Sequence, residues 1–385
     1  MHNTAIRNIL LTAAFLAAVP VSQAQLAPAT DEELASEANE ISRILLQRLG
    51  EGYTSQIDSR RRVVFITSLD AETSRMAVRV IRTHLDALRK TGFDQPFGRN
   101  LTILLPTVRD YRKLVAGKNP EASGFYSRKL RLMATISLSN AIVHELVHAV
   151  HDNQQMILGQ DHPIWIAEGL ATLYQNSEIR EGRLVPKIGP ELAFLKESVE
   201  ANKIFRLGDL LKIDRAGFMA QSQISYPQVR YLMYYLHQKQ LLDTWYDAYR
   251  TGYDEDPTGL AALEKVLGKD LEKIEDDWLA WIDKTDPPWQ SKMVTKAHLG
   301  IRMKPGEEGV IVDAPLSGTS AGNARLLKSD DVILSIGGLA TPTPQDLSAA
   351  VVTFRPGQTV RIELVRDGQT MVVDHVLGAI RVNSR

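Results

Sequence analysis

The chain of 385 residues contains no cysteine. This absence excludes disulfide bonds, zinc sites built from thiolates, a catalytic thiol and an N-terminal cysteine that could carry a lipid. Neither sign of charge is in excess, because 45 lysines and arginines balance 46 aspartates and glutamates, and the sequence pI is about 6.8. This balance gives no indication of binding to nucleic acid or to an anionic membrane surface.

Long hydrophobic runs are also missing. The apolar run from Ile9 to Val19 has 11 residues, whereas a transmembrane helix needs about 20. It follows Arg7 and precedes Ser22-Gln23-Ala24, where small residues occupy the two positions that a signal peptidase reads. The pattern is typical of a secretory signal cleaved after Ala24, with a membrane anchor as the alternative. We therefore expect an exported protein, periplasmic or secreted by a bacterium, with no transmembrane segment once mature.

Hydrophobic periodicity predicts an α+β region followed by a β-rich module. The segment 25–54 holds an amphipathic helix, which we interpret as a packing element rather than a removable propeptide. A small sheet and then a mostly helical part follow, up to the helix-ending Thr285-Asp286-Pro287-Pro288. The predicted organisation is a signal peptide at 1–24, the N-terminal helical segment at 25–54, an α+β domain at 55–288 and the β-rich module at 293–385. Strands are expected at 62–67, 101–105 and 130–137, and the most informative helix at 139–156.

That helix carries His144-Glu145-Leu146-Val147-His148. Residues four apart lie one turn apart on one helix face, so both imidazoles can reach one metal ion. Glu145 projects about 100° round the helix from His144, so it can approach a metal-activated water as a general base. The neighbouring residues are apolar, where unpaired imidazoles and a carboxylate would be unfavourable. The alternative is a chance motif on a core helix.

A catalytic zinc ion usually has three protein ligands. The segment from Pro163 to Ala171 supplies a third in Glu168, the one carboxylate on an otherwise apolar helical stretch. Coordination of a metal is the simplest way to stabilise such a carboxylate, with a structural salt bridge as the alternative. Zinc is inferred from the type of ligand, and two histidines with one glutamate could also hold other divalent ions.

The two motifs together resemble the gluzincin class of metallopeptidases, in which an HExxH helix is followed by a helix bearing a glutamate. Here that glutamate stands 20 positions after His148, in the setting Trp-x-x-Glu-Gly-Leu-Ala. The resemblance covers about residues 60–285 and extends to the peptidase-MA-like and aminopeptidase branches. It implies a thermolysin-like fold, with a small N-terminal sheet and a helical C-terminal part. It also implies zinc ligation by His144, His148 and Glu168, and catalysis by Glu145.

The resemblance further implies a donor for transition-state charge from a later helix. Tyr226, just before the helix expected at 227–240, is our candidate, although the Lys-Gly that usually follows this tyrosine is replaced by Gln228-Val229. Other side chains of this segment remain as rivals, and all could be core aromatics: Tyr231, Tyr234, Tyr235 and His237.

Two further histidines lie close to the motifs. We interpret His151 as packed or supporting the ligands, and His162 as a cap or rim residue. The strand at 130–137 is expected to offer its edge to an extended peptide. The Gly-x-Met-Glu-Asn sequence typical of aminopeptidases is absent, so an endopeptidase is favoured.

The C-terminal module resembles a PDZ domain of the kind found in bacterial periplasmic proteases. The resemblance rests on Leu299-Gly300-Ile301, on Ala314-Pro315-Leu316-Ser317 and on the segment 329–338, and it covers about residues 296–380. It implies that Leu299, Gly300 and Ile301 bind a peptide C-terminus, beside a helix at 344–354. A β-module that binds nothing is the alternative.

Three functions remain open at this point. The first is a zinc endopeptidase whose PDZ domain recruits protein or peptide substrates or regulates access to the site. The second is an inactive peptidase fold that serves as a peptide-binding adaptor or chaperone, and the third is an aminopeptidase. The sequence leaves the oligomeric state and the physiological substrate undetermined.

Overall fold

The structure is a computed structural model that describes residues 29–115, 123–136, 140–286, 294–316, 318–324, 326–351 and 353–382. The predicted signal peptide and most of the predicted linker lie outside these ranges. The N-terminal helix α1 spans Asp31–Leu49, and the small-sheet region contains β1 (Thr54–Asp58), β2 (Val63–Thr67), α2 (Ala71–Lys90), β3 (Leu101–Leu105), α3 (Val108–Leu114), β4 (Gly124–Ser127) and β5 (Leu132–Thr135). Within the described residues, no helix is both long and apolar enough to cross a membrane.

The sheet has the order β1-β2-β3-β5-β4. Strands β2, β3 and β5 are parallel, while β1 and β4 are antiparallel additions at the two edges. All five residues of β2 are buried, as expected for a strand covered on both faces. Val64 and Ile66 belong to the same core as Ala38 and Ile41 of α1. The N-terminal helix therefore packs on the sheet.

The expectation that the strand at 130–137 offers a free edge is wrong. β5 is shorter, Leu132–Thr135, and it pairs with β3 on one side and β4 on the other. Among the described residues, the edge strand on this side of the sheet is β4, Gly124–Ser127, which the sequence did not predict as a strand. A four-residue strand that begins with glycine carries too little periodicity to be recognised without its pairing partner.

The helical half follows the predicted order with small shifts at the helix ends. It contains α4 (Asn140–Leu158), α5 (Ile164–Gln175), a hairpin of β6 (Ser177–Arg180) and β7 (Arg183–Pro186), α6 (Glu191–Glu200), α7 (Leu207–Leu210), α8 (Arg215–Ala220), α9 (Ser222–Gln238), α10 (Leu242–Thr251), α11 (Leu260–Leu267) and α12 (Leu271–Lys284). The helix expected to begin at Pro227 begins five residues earlier, at Ser222, so Tyr226 lies inside it. Pro227 is the sixth residue of this helix and has no N–H group, so one helical hydrogen bond is missing at this position.

The C-terminal region is β-rich, with β8 (Val294–His298), β9 (Ile301–Pro305), β10 (Val310–Pro315), α13 (Ser320–Ala324), β11 (Val332–Ile336), β12 (Leu339–Ala340), α14 (Pro344–Val351), β13 (Thr359–Arg366), β14 (Gln369–Val376) and β15 (Gly378–Val382). Its main sheet has the order β14-β13-β11-β10-β9, with β12 beside β11. β9 is the terminal strand of that order. Asp367 and Gly368 form the turn that joins β13 to β14, and both residues have positive φ angles, 50° and 76°. The predicted mixed α/β architecture with a β-rich C-terminus is confirmed.

The C-terminal region contacts the small-sheet region at α3. The Arg112 guanidinium donates a hydrogen bond of 3.1 Å to the Gly306 carbonyl. Ala340 of β12 packs against the core that contains Tyr111. The two regions are therefore held together by these contacts as well as by the chain segment that connects them.

Candidate metal centre

Helices α4 and α5 pack against each other with opposite chain directions. Because the helices are antiparallel, residues further along α5 contact residues earlier in α4. Along this seam His162, just before α5, contacts His151, Glu168 contacts His148 and His144, and Gln175 contacts His144. Glu168 and Gln175 are seven residues apart, which is nearly two turns, so both face α4. The seam therefore gathers polar groups between two otherwise buried helices.

The three side chains that the sequence assigned as metal ligands converge in this seam. The Nε2 atoms of His144 and His148 are 3.0 Å apart, and the Glu168 Oε2 atom lies 3.4 Å and 3.3 Å from them. Ligands bonded to a tetrahedral zinc ion at about 2.0–2.2 Å lie roughly 3.3–3.6 Å from one another. Among the residues that the structure describes, this is the group of metal-ligating side chains that comes together.

The surroundings of the Glu168 carboxylate indicate whether a metal ion fits this site. Its side chain is 5% exposed, and Oε2 is buried without a hydrogen-bond partner. Burial alone would raise the pKa of Glu168, but the neighbouring His148 and His144 imidazoles hold it below its usual range. A buried carboxylate oxygen without a hydrogen bond is unfavourable, and coordination to a cation would stabilise it. Two imidazole nitrogens and this oxygen are the donor set of a His₂Glu zinc site.

Glu145 lies beside this group on the side of β4. The ideal Cβ position on Gly124 would be 3.3 Å from the Glu145 Cγ atom, so the first residue of β4 lies directly against the Glu145 side chain. Glu145 is partly exposed. Burial raises the pKa of Tyr226 and of Tyr111, and the charge of Glu145 adds to this shift in both. The sequence missed the role of Gly124, because the contact is made across the fold.

Tyr226 lies beside His144. Its ring centroid is 6.5 Å from that of His144, and the ring packs edge-on against Phe218 of α8 at 5.1 Å. Its hydroxyl is 3.7 Å from the Met219 sulfur. Burial, followed by the charge of Glu168, raises the pKa of Tyr226, so the hydroxyl keeps its proton and can donate a hydrogen bond.

The rivals of Tyr226 have other partners. The Tyr231 hydroxyl exchanges hydrogen bonds with the backbone of Gly189, accepting from its N–H and donating to its carbonyl, both at 3.0 Å. Tyr234 and Tyr235 pack against Trp281, and His237 packs against Tyr234. Tyr226 is therefore the aromatic side chain of this helix that stands next to His144.

His151 and His162 form a separate, buried pair. The His151 Nε2 atom is 2.7 Å from His162 Nδ1, and the two side chains belong to residues only 1% and 7% exposed. The assignment of His162 to a cap or rim is wrong, because Pro163 precedes the helix and the His162 ring packs against Tyr246 and Tyr249. The packed interpretation of His151 agrees with its burial.

One further side chain belongs to the metal centre, and the sequence interpretation missed it. The Gln175 amide oxygen is 3.0 Å from His144 Nδ1. Gln175 is the last residue of α5, seven positions after Glu168. That spacing was available as a signal, because it places the two residues on one helix face.

The residues assigned to peptide binding in the C-terminal region lie at the start of β9. Leu299 is buried, and Gly300 has a φ of 79°, which favours glycine. Its carbonyl accepts hydrogen bonds from the Leu316 N–H at 2.8 Å and the Thr319 hydroxyl at 3.0 Å. Ile301 begins β9, whose outer edge has no strand beside it among the described residues.

Comparisons with known proteins are informative for this last region. No curated protein matches the chain. One solved structure similar to it, the HtrA-type protease AlgW with a decapeptide, is 21% identical over 29% of this chain and 35% of that chain, with a TM-score of 0.22. This chain therefore corresponds to about a third of that protein's length. The PDZ domain of a carboxy-terminal protease from Vibrio cholerae, in complex with a peptide, is 17% identical over 23% of this chain and all of that one, with a TM-score of 0.21.

An aminopeptidase N family protein from Idiomarina loihiensis is 14% identical over 86% of this chain and 67% of that chain, with a TM-score of 0.33. These TM-scores are too low to support an argument about activity. A family model described as PDZ domain matches residues 297–375 directly. This match agrees with the strand order, the β9 edge and the Gly300 turn, and residues 297–375 form a PDZ domain.

Proposed function

We propose that this chain is a zinc-dependent peptidase of the gluzincin type, whose metal is held by His144, His148 and Glu168. The observation that carries the proposal is the distance set of 3.0, 3.3 and 3.4 Å between three ligand atoms, one of them a buried carboxylate oxygen without a hydrogen bond. A zinc ion bound there would supply a Lewis acid that polarises a carbonyl and activates water.

The reaction is hydrolysis of a peptide bond. Glu145 accepts a proton from the water whose oxygen attacks the carbonyl carbon. When the C–N bond breaks, Glu145 delivers the proton to the leaving amine. Tyr226, which keeps its hydroxyl proton, donates a hydrogen bond to the carbonyl oxygen as negative charge develops on it.

The free edge of β4 supplies a place for the substrate backbone. An extended peptide can add to an unpaired strand edge through main-chain hydrogen bonds. Because Gly124 begins β4 and lies against Glu145, a peptide bound at this edge passes beside the proposed base. This arrangement suits a peptide that continues on both sides of the site, and we therefore favour an endopeptidase over an aminopeptidase.

The PDZ domain is proposed to recruit substrates through their C-termini, at Leu299, Gly300 and Ile301. The proposal includes an exported location, which rests on the N-terminal sequence pattern. A labelled peptide with a free C-terminus should bind the full chain, and its C-terminal amide should bind much more weakly. Equal binding of the two peptides would refute carboxylate recognition by this domain.

Cleavage of an unfolded protein tests the catalytic proposal. The zinc-loaded chain should cleave it, and Glu145→Gln should reduce the rate about 10²–10⁴-fold while retaining stoichiometric zinc. Substrates with a blocked N-terminus should be cleaved equally well, whereas dependence on a free N-terminus would indicate an aminopeptidase. Peptide binding through the PDZ domain without any metal-dependent cleavage would instead support the adaptor function.

A further inference from the structure

Gln175 is the side chain outside the ligand set that contacts a proposed metal ligand most directly. It stands at the end of α5 and is partly buried. Because α5 runs opposite to α4, the residue two turns after Glu168 meets the earlier of the two histidines. The Gln175 Oε1 atom lies 3.0 Å from His144 Nδ1, on the side of the ring away from the ligand cluster.

The chemistry of this contact determines where the His144 proton resides. An amide oxygen only accepts hydrogen bonds, so with the Gln175 amide in this orientation the His144 Nδ1 atom carries the hydrogen. A neutral imidazole has one N–H group, and the Nε2 atom of His144 therefore presents a lone pair. This Nε2 atom is the one that lies 3.0 Å from His148 Nε2 and 3.4 Å from Glu168 Oε2.

The opposite tautomer of His144 would not bind a metal ion at this site. Its Nε2–H would point at the other two ligand atoms, and its lone pair, on Nδ1, would face away from them. Metal-bound histidines generally donate their second N–H to an acceptor that fixes the ring orientation, and loss of that acceptor weakens metal binding by about 10–100-fold. The carboxylate of α4 other than the proposed base Glu145 is Asp152, and it is already bonded to Tyr126 and Arg128.

We propose that Gln175 is a positioning residue that holds His144 in the Nδ1–H tautomer and directs its Nε2 lone pair into the metal centre. The inference rests on the proposed function for the identity of the site. It adds that this ligand is oriented by a neutral amide, which contributes no charge to the centre.

Three variants separate this role from simple packing. Gln175→Met keeps the length of the side chain and removes the acceptor, so zinc affinity should fall about 10–100-fold. Gln175→Glu restores an acceptor and should bind zinc at least as tightly as the natural chain. Gln154→Met is the matched control, because Gln154 is a buried glutamine of α4 whose amide oxygen accepts from the Tyr246 hydroxyl instead of from a proposed ligand. It should leave zinc affinity within about twofold of the natural chain, well below the loss expected at Gln175.

The measurements are zinc affinity by chelator competition and the ¹⁵N NMR shifts of the His144 ring in metal-free protein near neutral pH. The natural chain and Gln175→Glu should show a protonated Nδ1, and Gln175→Met should lose that preference. An Nε2–H tautomer in the natural chain, or unchanged zinc affinity in Gln175→Met, would overturn the inference. The NMR experiment is independent of peptidase activity, so an inactive chain with the Nδ1–H tautomer would refute the proposed function and support the role of Gln175.

Discussion

Two polar clusters lie on the seam between α4 and α5, and they differ in how their hydrogen bonds are completed. In the pair of His151 and His162, the Nε2–H of His162 donates to the Gln160 amide oxygen at 2.9 Å, so its Nδ1 accepts from His151 Nε2–H at 2.7 Å. In the metal centre, two imidazole nitrogens are 3.0 Å apart, but the adjacent Glu168 oxygen has no hydrogen-bond partner.

The comparison identifies which feature indicates a metal site. Two imidazoles in contact are not sufficient, because one hydrogen bond between two neutral rings satisfies both of the nitrogens that face each other. The additional features of the metal centre are a third ligand atom, a buried carboxylate oxygen without a partner, and an open side bordered by Glu145 and the β4 edge. The His151–His162 pair is enclosed by aromatic rings, including Tyr246 and Tyr249.

The largest expected effect comes from removing one histidine of each cluster. His148→Ala should abolish stoichiometric zinc binding and reduce cleavage to the uncatalysed background, because two ligands cannot hold a catalytic ion. His162→Gln keeps an acceptor for His151 and should retain zinc and cleavage. Metal analysis and a peptide assay on both purified variants provide the measurement, and zinc loss in His162→Gln would remove the distinction between the clusters.

Tyr226→Phe should have the next largest effect. Loss of a hydrogen bond made to developing charge lowers kcat by about 10²–10³-fold, with little change in KM. Zinc content should be unchanged, since Tyr226 is not a ligand. Tyr234→Phe is the control on the same helix, as Tyr234 packs against Trp281. If kcat is unchanged in Tyr226→Phe, the oxyanion donor must be another group.

The His151–His162 pair should make stability depend on pH. Burial lowers the pKa of His162 to about 4, with Asp161 acting to raise it and Arg250 and Arg128 to lower it. Burial also lowers the pKa of His151. The unfolded chain binds these protons more readily, so the free energy of unfolding is highest above pH 6.5 and falls as the pH drops towards 4.

The size of this effect follows from the pKa difference. A shift from 6.5 to about 4 corresponds to roughly 3 kcal/mol for His162. Denaturant unfolding of the metal-free chain, measured at several pH values between 4 and 7, should show this loss, and His162→Gln should reduce it. The same pH dependence in both proteins would show that the pair does not titrate as its burial implies.

The smallest expected effect concerns the open side of the metal centre. Gly124→Ala would place Cβ 3.2 Å from the Thr135 hydroxyl and 3.3 Å from Glu145 Cγ, so neighbours must move by a few tenths of an ångström. Because catalysis is sensitive to small displacements of reacting groups, the rate should fall up to about tenfold with zinc retained. Gly98→Ala, whose Cβ would meet only the Asn153 side chain at 3.9 Å, is the control and should keep its rate. An equal loss in both variants would contradict the placement of β4 beside the base.

The sequence predicted what depends on local spacing. The convergence of His144 with His148 follows from helix periodicity, and strand β3 was placed at its observed limits, Leu101–Leu105. The PDZ prediction succeeded because the segments that it rests on, such as Leu299-Gly300-Ile301, are also local. Glu168 could be singled out because one carboxylate on an apolar helix is unusual.

Other features depend on contacts between distant segments. The edge position of β4 requires its pairing with β5, which no pattern within Gly124–Ser127 specifies. The burial of His162 depends on tyrosines about 85 residues later in the chain, Tyr246 and Tyr249. The sequence did not predict the β6–β7 hairpin, because the Glu-Gly pair at its turn is a weaker turn signal than Asn-Gly. In the structure, Glu181 and Gly182 both adopt positive φ.

A zinc titration of three proteins tests the central claim most directly. The natural chain and Glu145→Gln should each bind one zinc ion with similar affinity, because Glu145 is proposed as the base and not as a ligand. Glu168→Gln should lose stoichiometric binding, because it removes the buried carboxylate from the ligand set. Zinc loss in Glu145→Gln, or undiminished affinity in Glu168→Gln, would contradict the assignment of ligands and base.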